Sequence, residues 1–155
     1  MNNGVFLSIP EKVALVTGGS RGIGAATVRL FVRAGAKVVF NYQKARAQAE
    51  ALAAELGAPV CHAVQADLSN APSAEALVRA AVDRFGRLDA VVLNHGIWPD
   101  EDIPIDRMSY EHWQRTISIN LDSVFGTVKT AVAQMKRQGD GGHIVIVSST
   151  AGQRG

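Results

Sequence analysis

The sequence predicts an α/β chain, a doubly wound parallel sheet flanked by helices, in one domain over residues 1–155. Three observations carry that prediction. Strand and helix signals alternate along the chain. The strand segments, among them Val13-Ala14-Leu15-Val16 and Ile144-Val145-Ile146-Val147, are nearly continuous apolar runs, as expected of a sheet covered on both faces. A glycine-rich turn, Thr17-Gly18-Gly19-Ser20-Arg21-Gly22-Ile23-Gly24, joins the first strand to the first helix.

In order, Lys12–Thr17 is the first strand and Gly22–Ala34 the first helix. Ile23, Thr27, Leu30 and Phe31 stand at helical spacing there, and Gly35 closes the segment. Lys37–Asn41 is the second strand. Ala45–Leu56 is Ala-rich and charged on one face, a helix ended by Gly57. Val60–Gln65 is the third strand, and Asp67-Leu68-Ser69 a loop. Leu77, Val78, Ala81, Val82 and Phe85 mark the buried face of the next helix, which Gly86 ends. Leu88–Leu93 is the fourth strand, and Trp98–Met108 the longest loop. Ser109 caps the following helix, with Glu111 in its first turn. That helix carries a sustained stripe, Trp113, Ile117, Leu121, Val124, Val128, Val132 and Met135, and stops at Gly139-Asp140-Gly141-Gly142. Ile144–Val147 is the fifth strand, followed by Ser148, Ser149 and a short tail. Five strands alternating with four helices, joined by right-handed crossovers, suggest strand order 3-2-1-4-5.

Composition narrows the function classes. A chain of 155 residues with 47% hydrophobic content builds a real core and argues against disorder. The net charge of +2 arises from 16 basic and 14 acidic residues spread evenly. With no Lys/Arg run, nothing reads as a nucleic-acid footprint. The single cysteine, Cys61, excludes an intramolecular disulfide and a thiol metal cluster, so no metal site is expected. It reads as a small buried apolar group. Met1–Pro10 lacks a positive leader and has only Val5-Phe6-Leu7 as an apolar run, so neither signal peptide nor anchor is expected. No apolar stretch approaches a membrane span. A soluble cytoplasmic protein is the expectation.

The glycine turn sits between strand and helix, the context a dinucleotide site requires. Gly18 lets the chain reverse tightly, Gly22 lets backbone approach a pyrophosphate, and Gly24 lets the helix pack close to the strand. The helix N-terminus offers unpaired N–H groups to phosphates. Ser20 and Ile23 lie within the same turn. Ligands in such sheets lie beyond the carboxyl ends of the strands. Asn41 and Tyr42 stand at the end of the second strand. A carboxylate there would accept the hydroxyls of an NAD ribose and repel a 2′-phosphate; Asn41 does not repel one. Arg21 could pair with it, so NADP(H) is favoured over NAD(H). Asp67 and Leu68 follow the third strand, Asn94 and Gly96 the fourth, and Ser148 and Ser149 the fifth. Asn120 is a polar residue within an apolar helical stripe, where it needs partners. The alternatives are Arg21 as a solvated turn residue, Asp67 as an Asx-turn or helix cap, Asn120 as bonded to its own helix, and Ser148-Ser149, taken alone, as a turn.

The Thr17–Gly24 turn, Asp67-Leu68, Leu93-Asn94-His95-Gly96, Ile119-Asn120-Leu121 and Gly142–Gly152 together resemble the short-chain dehydrogenase/reductases. The branch concerned includes bacterial 3-oxoacyl carrier-protein reductases. The resemblance covers essentially the whole chain and implies a Rossmann-like fold and hydride transfer between NADP(H) and a carbonyl or alcohol carbon. It implies that Asp67 holds the adenine amino group with help from the Leu68 backbone. It places Asn94 and Gly96 against the coenzyme ribose. It makes Asn120 a helix-bending residue that holds a relay water, and Ser149 the catalytic serine, donating to the substrate carbonyl oxygen. Leu93 and His95 depart from the family's Asn-Asn-Ala-Gly, and His95 reads as structural.

The family's Tyr-x-x-x-Lys, its proton donor and the lysine that tunes it, is absent. Tyr42 and Tyr110 are each followed four later by Arg46 and Gln114. The expectation is therefore the N-terminal part of a reductase whose parent is a dimer or tetramer, with this chain inactive alone and its fifth strand an open edge. A non-catalytic dinucleotide-binding module or inactive remnant is the alternative. A methyltransferase with a similar glycine turn is a third reading, and would want an acid where Asn41 stands.

Overall fold

The computed structural model describes residues 8–98 and 103–154. Most of Met1–Pro10, including Val5-Phe6-Leu7, and the middle of the Trp98–Met108 loop lie outside the described residues. Five parallel strands form one sheet: β1 Val13–Val16, β2 Lys37–Tyr42, β3 Cys61–Gln65, β4 Ala90–Leu93 and β5 His143–Ile146. Their order is β3-β2-β1-β4-β5, as the sequence suggests. The crossovers run through α1 Gly22–Arg33, α2 Arg46–Leu56, α3 Ala71–Phe85, α4 Tyr110–Ile117 and α5 Ser123–Gln138. A short α6 spans Ala151–Arg154, where the sequence suggests only a tail. The chain is thus a Rossmann-like α/β fold.

Strand alternation sorts the core into two layers. Ala14, Val16, Val38 and Phe40 point to one face, against Val28 of α1 and Ala49 and Leu52 of α2. Leu15, Val39 and Val91 point to the other, against Leu77, Val78 and Ala81 of α3 and Ala131 and Met135 of α5. Burying each large apolar side chain is worth about 1.5–3 kcal/mol, so these layers dominate the stability. Cys61 opens β3 and is buried as expected; burial pushes its thiol up to about 11.

Glycines end the helices where the sequence places them. Gly57, Gly86 and Gly139 adopt φ of +91°, +83° and +86°, conformations in which other residues are strained. Asn70 caps α3 by accepting the Ser73 N–H at 3.0 Å, and Ser109 caps α4 by accepting that of His112 at 3.1 Å.

Opposite the carboxyl ends, Asp89 joins three segments. Its carboxylate accepts the Val13 N–H at 2.9 Å, two bonds from Arg87 at 2.8 and 2.6 Å, and one from Lys12 at 3.2 Å. Arg87 also reaches Asp140, just before β5, at 2.8 Å. Burial pushes the Asp89 carboxyl up, but Arg87, the Val13 N–H and Lys12 together outweigh it and hold it below the usual range.

Two features of the helices go beyond the spacing read from the sequence. In α1 the buried residues are Gly24, Ala25 and Val28, while Ile23 and Leu30 are exposed. The glycine and alanine bring the helix against the sheet, which turns Ile23 outward over the strand ends. The long helix before β5 is not one continuous α-helix either. A π-helical stretch, Ser118–Asp122, separates α4 from α5. The wider turn breaks the phase of the apolar stripe. Val124, Val128 and Met135 pack on the core, whereas Trp113 and Leu121 face outward.

Candidate functional site

The glycine turn leaves β1 with its geometry fixed by backbone demands. Gly18 and Gly22 adopt φ of +63° and +55°. A Cβ on Gly24 would lie 2.2 Å from the Gly18 carbonyl oxygen, so only glycine lets α1 start this close to β1. A Cβ on Gly22 would meet nothing within 4 Å; it would project into open space at the helix N-terminus. No side chain caps that terminus, and no acidic residue occupies the first turn. Its N–H groups and positive dipole end therefore remain available to an anion.

Asn41 holds this turn rather than facing outward. It is buried, its Oδ1 accepts the Gly18 N–H at 2.8 Å, and its Nδ2 donates to the Ala66 carbonyl at 3.1 Å. One amide thus links the ends of β1, β2 and β3. Tyr42 is buried in the core layer of α1 and α2. Asp67 forms an Asx-turn, accepting the Ser69 N–H at 3.0 Å. That bond, ahead of weaker contributions from Gln43, the Ser69 hydroxyl and Arg115 and against slight burial, holds its carboxyl below the usual range. The Leu68 side chain is buried in the opposite layer.

Beyond β4, Asn94 Nδ2 donates to the carbonyls of Thr17 and Gly18 at 3.2 and 3.3 Å. The Asn94 and His95 N–H groups both reach Thr17 Oγ1, at 2.9 and 3.2 Å. A Cβ on Gly96 would stand 3.3 Å from Asn120 Oδ1. Asn120 is not bonded to its own helix. Its Oδ1 accepts the Ile97 N–H at 2.8 Å and its Nδ2 donates to the Ile97 carbonyl at 2.9 Å. His95, expected as structural, bridges Thr17 Oγ1 at 2.7 Å and Ser123 Oγ at 2.6 Å. Burial holds its imidazole below the ordinary histidine value, with the Ile119 carbonyl pulling the other way.

These residues enclose a cleft of about 510 Å³ over the carboxyl ends of β1 to β4. Gly18, Ser20, Arg21, Gly22, Ile23, Asn41, Tyr42, Asp67, Leu68, Asn94 and Gly96 all line it. Of the expected coenzyme residues only Gly24 does not, because it packs behind the turn. Ser149 stands apart from the lining. It is exposed, and its Oγ accepts the Ala151 N–H at 3.1 Å, as a serine at a turn does. Asn120 touches the cleft through Gly96 and Ile97 rather than by lining it. Sequence reasoning missed Gln43, Lys44, Ser69, Ile97 and Ile119 on the cleft wall. Lys44 lay within reach of it, two residues past Tyr42 in the same strand-end loop.

The family model for short chain dehydrogenases matches residues 12–155. The chain belongs to this family. A 3-oxoacyl-[acyl-carrier-protein] reductase of Synechocystis is 39% identical over 150 residues, 96% of this chain and 60% of the relative. An L-rhamnose 1-dehydrogenase (NAD(P)(+)) of Azotobacter vinelandii is 42% identical over 144 residues, 90% of this chain and 56% of the relative. Among solved structures, a short-chain dehydrogenase/reductase double mutant of Serratia marcescens superposes with a TM-score of 0.85 at 36% identity, covering 97% of this chain and 60% of the other. This short-chain dehydrogenase chain thus spans 56–60% of the length of these two curated relatives.

Proposed function

We propose that the chain is the coenzyme-binding part of an oxidoreductase that moves a hydride between NADP(H) and a carbonyl or alcohol carbon, with 3-oxoacyl thioesters as the candidate substrate class. The cleft carries this reading. Its volume suits a small-molecule site, and the residues fit a dinucleotide. Open space at Gly22 admits a pyrophosphate onto the uncapped α1 N-terminus. The Asp67 carboxylate, held below the usual range by the Ser69 N–H, would accept from an adenine amino group. Gly96 lines the cleft, where the coenzyme ribose would lie, and Asn120 fixes the Gly96-Ile97 backbone.

Arg21 and Lys44 support NADP(H) over NAD(H). Both are exposed on the cleft wall, and neither forms an ion pair among the described residues. Asn41 contributes by carrying no charge, so a 2′-phosphate meets two cations and no carboxylate at the end of β2. Bound there, the coenzyme supplies the hydride. Ser149 would donate to the substrate oxygen as charge develops on it. Small-molecule substrates are thus the expected partners, and a homodimer or homotetramer the expected parent assembly.

The position of Ser149 favours a second reading, a dinucleotide-binding module without turnover. Ser149 stands outside the cleft lining, its Oγ accepting the Ala151 N–H in a turn. Titration tests the coenzyme site that both readings share. The chain should bind NADPH and, assayed against ketones and 3-oxoacyl thioesters, should not oxidise it. Arg21→Ala should weaken NADPH binding by roughly ten- to a hundredfold, the worth of a charge-assisted bond, and NADH binding much less. Equal losses for the two coenzymes would remove Arg21 from this role. Failure to bind either would remove the coenzyme reading.

A further inference from the structure

We propose that His95 is a positioning residue for the coenzyme site, a neutral imidazole that braces the Asn94–Ile97 segment between Thr17 at the end of β1 and Ser123 at the start of α5. The inference rests on the coenzyme reading above, and goes beyond it by assigning a role to a side chain where the family has alanine.

One assignment of the protons satisfies every bond around the ring. Ser123 Oγ donates its single hydrogen to the Ile119 carbonyl at 2.7 Å. It can meet His95 Nε2 at 2.6 Å only as an acceptor, so Nε2 carries the proton. Nδ1 is then a lone pair, and Thr17 Oγ1 donates to it at 2.7 Å. The Thr17 oxygen in turn accepts the Asn94 and His95 N–H groups. Every hydroxyl hydrogen and ring nitrogen in this chain of bonds is used once.

The same bonds hold the cleft wall. The Asn94–Ile97 segment hangs from Thr17 at one end and from Asn120 at the other. Asn120 sits in the π-helical stretch immediately before Ser123. The His95 ring spans the two anchors, so it sets the distance between the β1 end and the helix that carries Asn120. Alanine at this position could touch neither.

Protonation would break the brace. A second hydrogen on Nδ1 would point at Thr17 Oγ1, which already accepts two N–H groups. Thr17 would have to swing its own hydrogen toward the Val92 carbonyl, 3.4 Å away. Around the ring, β1 contributes the Thr17 hydroxyl, and the π-helical stretch and α5 contribute the Ile119 carbonyl and the Ser123 hydroxyl. The charged groups sharing its cleft wall are Arg21, Lys44 and Asp67, and Asp122 precedes Ser123 in the chain. Burial depresses the histidine in the folded chain. Its contribution is therefore complete above about pH 6.5, the unfolded value, and is lost as pH falls through the lower folded value.

The test measures NADPH and NADH dissociation constants for the 155-residue chain between about pH 8 and pH 5, the range in which histidine titrates. NADH lacks the 2′-phosphate, which itself titrates near pH 6, so any acid limb seen with NADH belongs to the protein. His95→Asn keeps an acceptor toward Thr17, His95→Gln keeps a donor toward Ser123, and His95→Ala keeps neither. The expected order of affinity is wild type, then Asn and Gln, then Ala, weakened by roughly ten- to a hundredfold for two lost bonds. The wild type should lose NADH affinity toward acid, and the Asn and Gln variants should lose that limb. Nitrogen NMR of the imidazole should show the Nε2–H tautomer. An Nδ1–H tautomer, Ala binding within twofold of wild type, or an acid limb persisting in both amide variants would each overturn the brace and leave the coenzyme reading standing. Should the Ala variant not fold, the Asn and Gln variants decide alone. Failure of the wild type to bind either coenzyme would remove both inferences together.

Discussion

Gly22 and Gly24 stand two residues apart and fail in opposite ways when given a side chain. At Gly24 a methyl group would meet the Gly18 carbonyl oxygen at 2.2 Å and Asn94 Nδ2 at 2.7 Å. Backbone has to move, and overpacking of this kind costs about 3 kcal/mol. At Gly22 the space is empty, and only the positive φ objects, at about 1–2 kcal/mol. Thermal denaturation of Gly24→Ala should show the larger drop in melting temperature, whereas Gly22→Ala should lose more coenzyme affinity than stability. A reversed order would mean that α1 does not start where its packing places it. Both glycines were legible because a strand-to-helix turn makes demands on its own backbone. Gly19 was not, since its reason is Phe40 on another strand, 2.5 Å from where a Cβ would stand. Asp89 was hidden likewise: its Val13 partner lies 76 positions away, and a lone aspartate beside a strand carries no local mark of being buried.

Strands and helices were legible wherever periodicity and caps agreed. β1 to β5 read correctly because apolar runs bounded by glycines leave few other options. The helix before β5 failed on continuity, since one period was assumed through Ser118–Asp122 while the structure inserts a wider turn there. Asn120 marked the place without giving its cause. Its two bonds go to the Ile97 main chain, 23 positions back, and no spacing within the helix encodes them. Asn120→Ala removes both bonds. The Ile97 amide should then exchange with solvent roughly fivefold faster or more, at about 1 kcal/mol for the net loss of a bond, while the amides of α3 keep their protection. Hydrogen exchange resolved to single amides checks this. Unchanged exchange at Ile97 would show that the π-helical stretch is held by Ser118, whose hydroxyl donates to the Ser69 carbonyl at 2.5 Å, rather than by Asn120.

At the scale of the whole molecule the two edge strands of the described sheet differ in character. β3 ends the sheet with His62 and Gln65 facing outward, a polar edge that resists further pairing. β5 ends it with Val145 and Ile146, each 55% exposed, and with unpaired backbone groups on its free side. Leu121 and Phe125 are exposed as well, at the π-helical stretch and on α5. The strand was legible in Ile144-Val145-Ile146-Val147; its exposure was legible only through the family resemblance, because burial depends on what lies across the edge. A short, flat, uncharged edge of β-branched residues is a template for association. The 155-residue chain should therefore self-associate with rising concentration in size-exclusion chromatography with light scattering. Val145→Lys puts a charge on the edge at a half-exposed position, where the cost to stability is small, and should shift the population toward monomer. Phe125→Glu alters the helical surface instead and separates the two sources. If Phe125→Glu yields monomer and Val145→Lys does not, association runs through the helices and the sheet edge is harmless. If the unaltered chain stays monomeric at every concentration tested, neither surface is sticky and the edge argument fails.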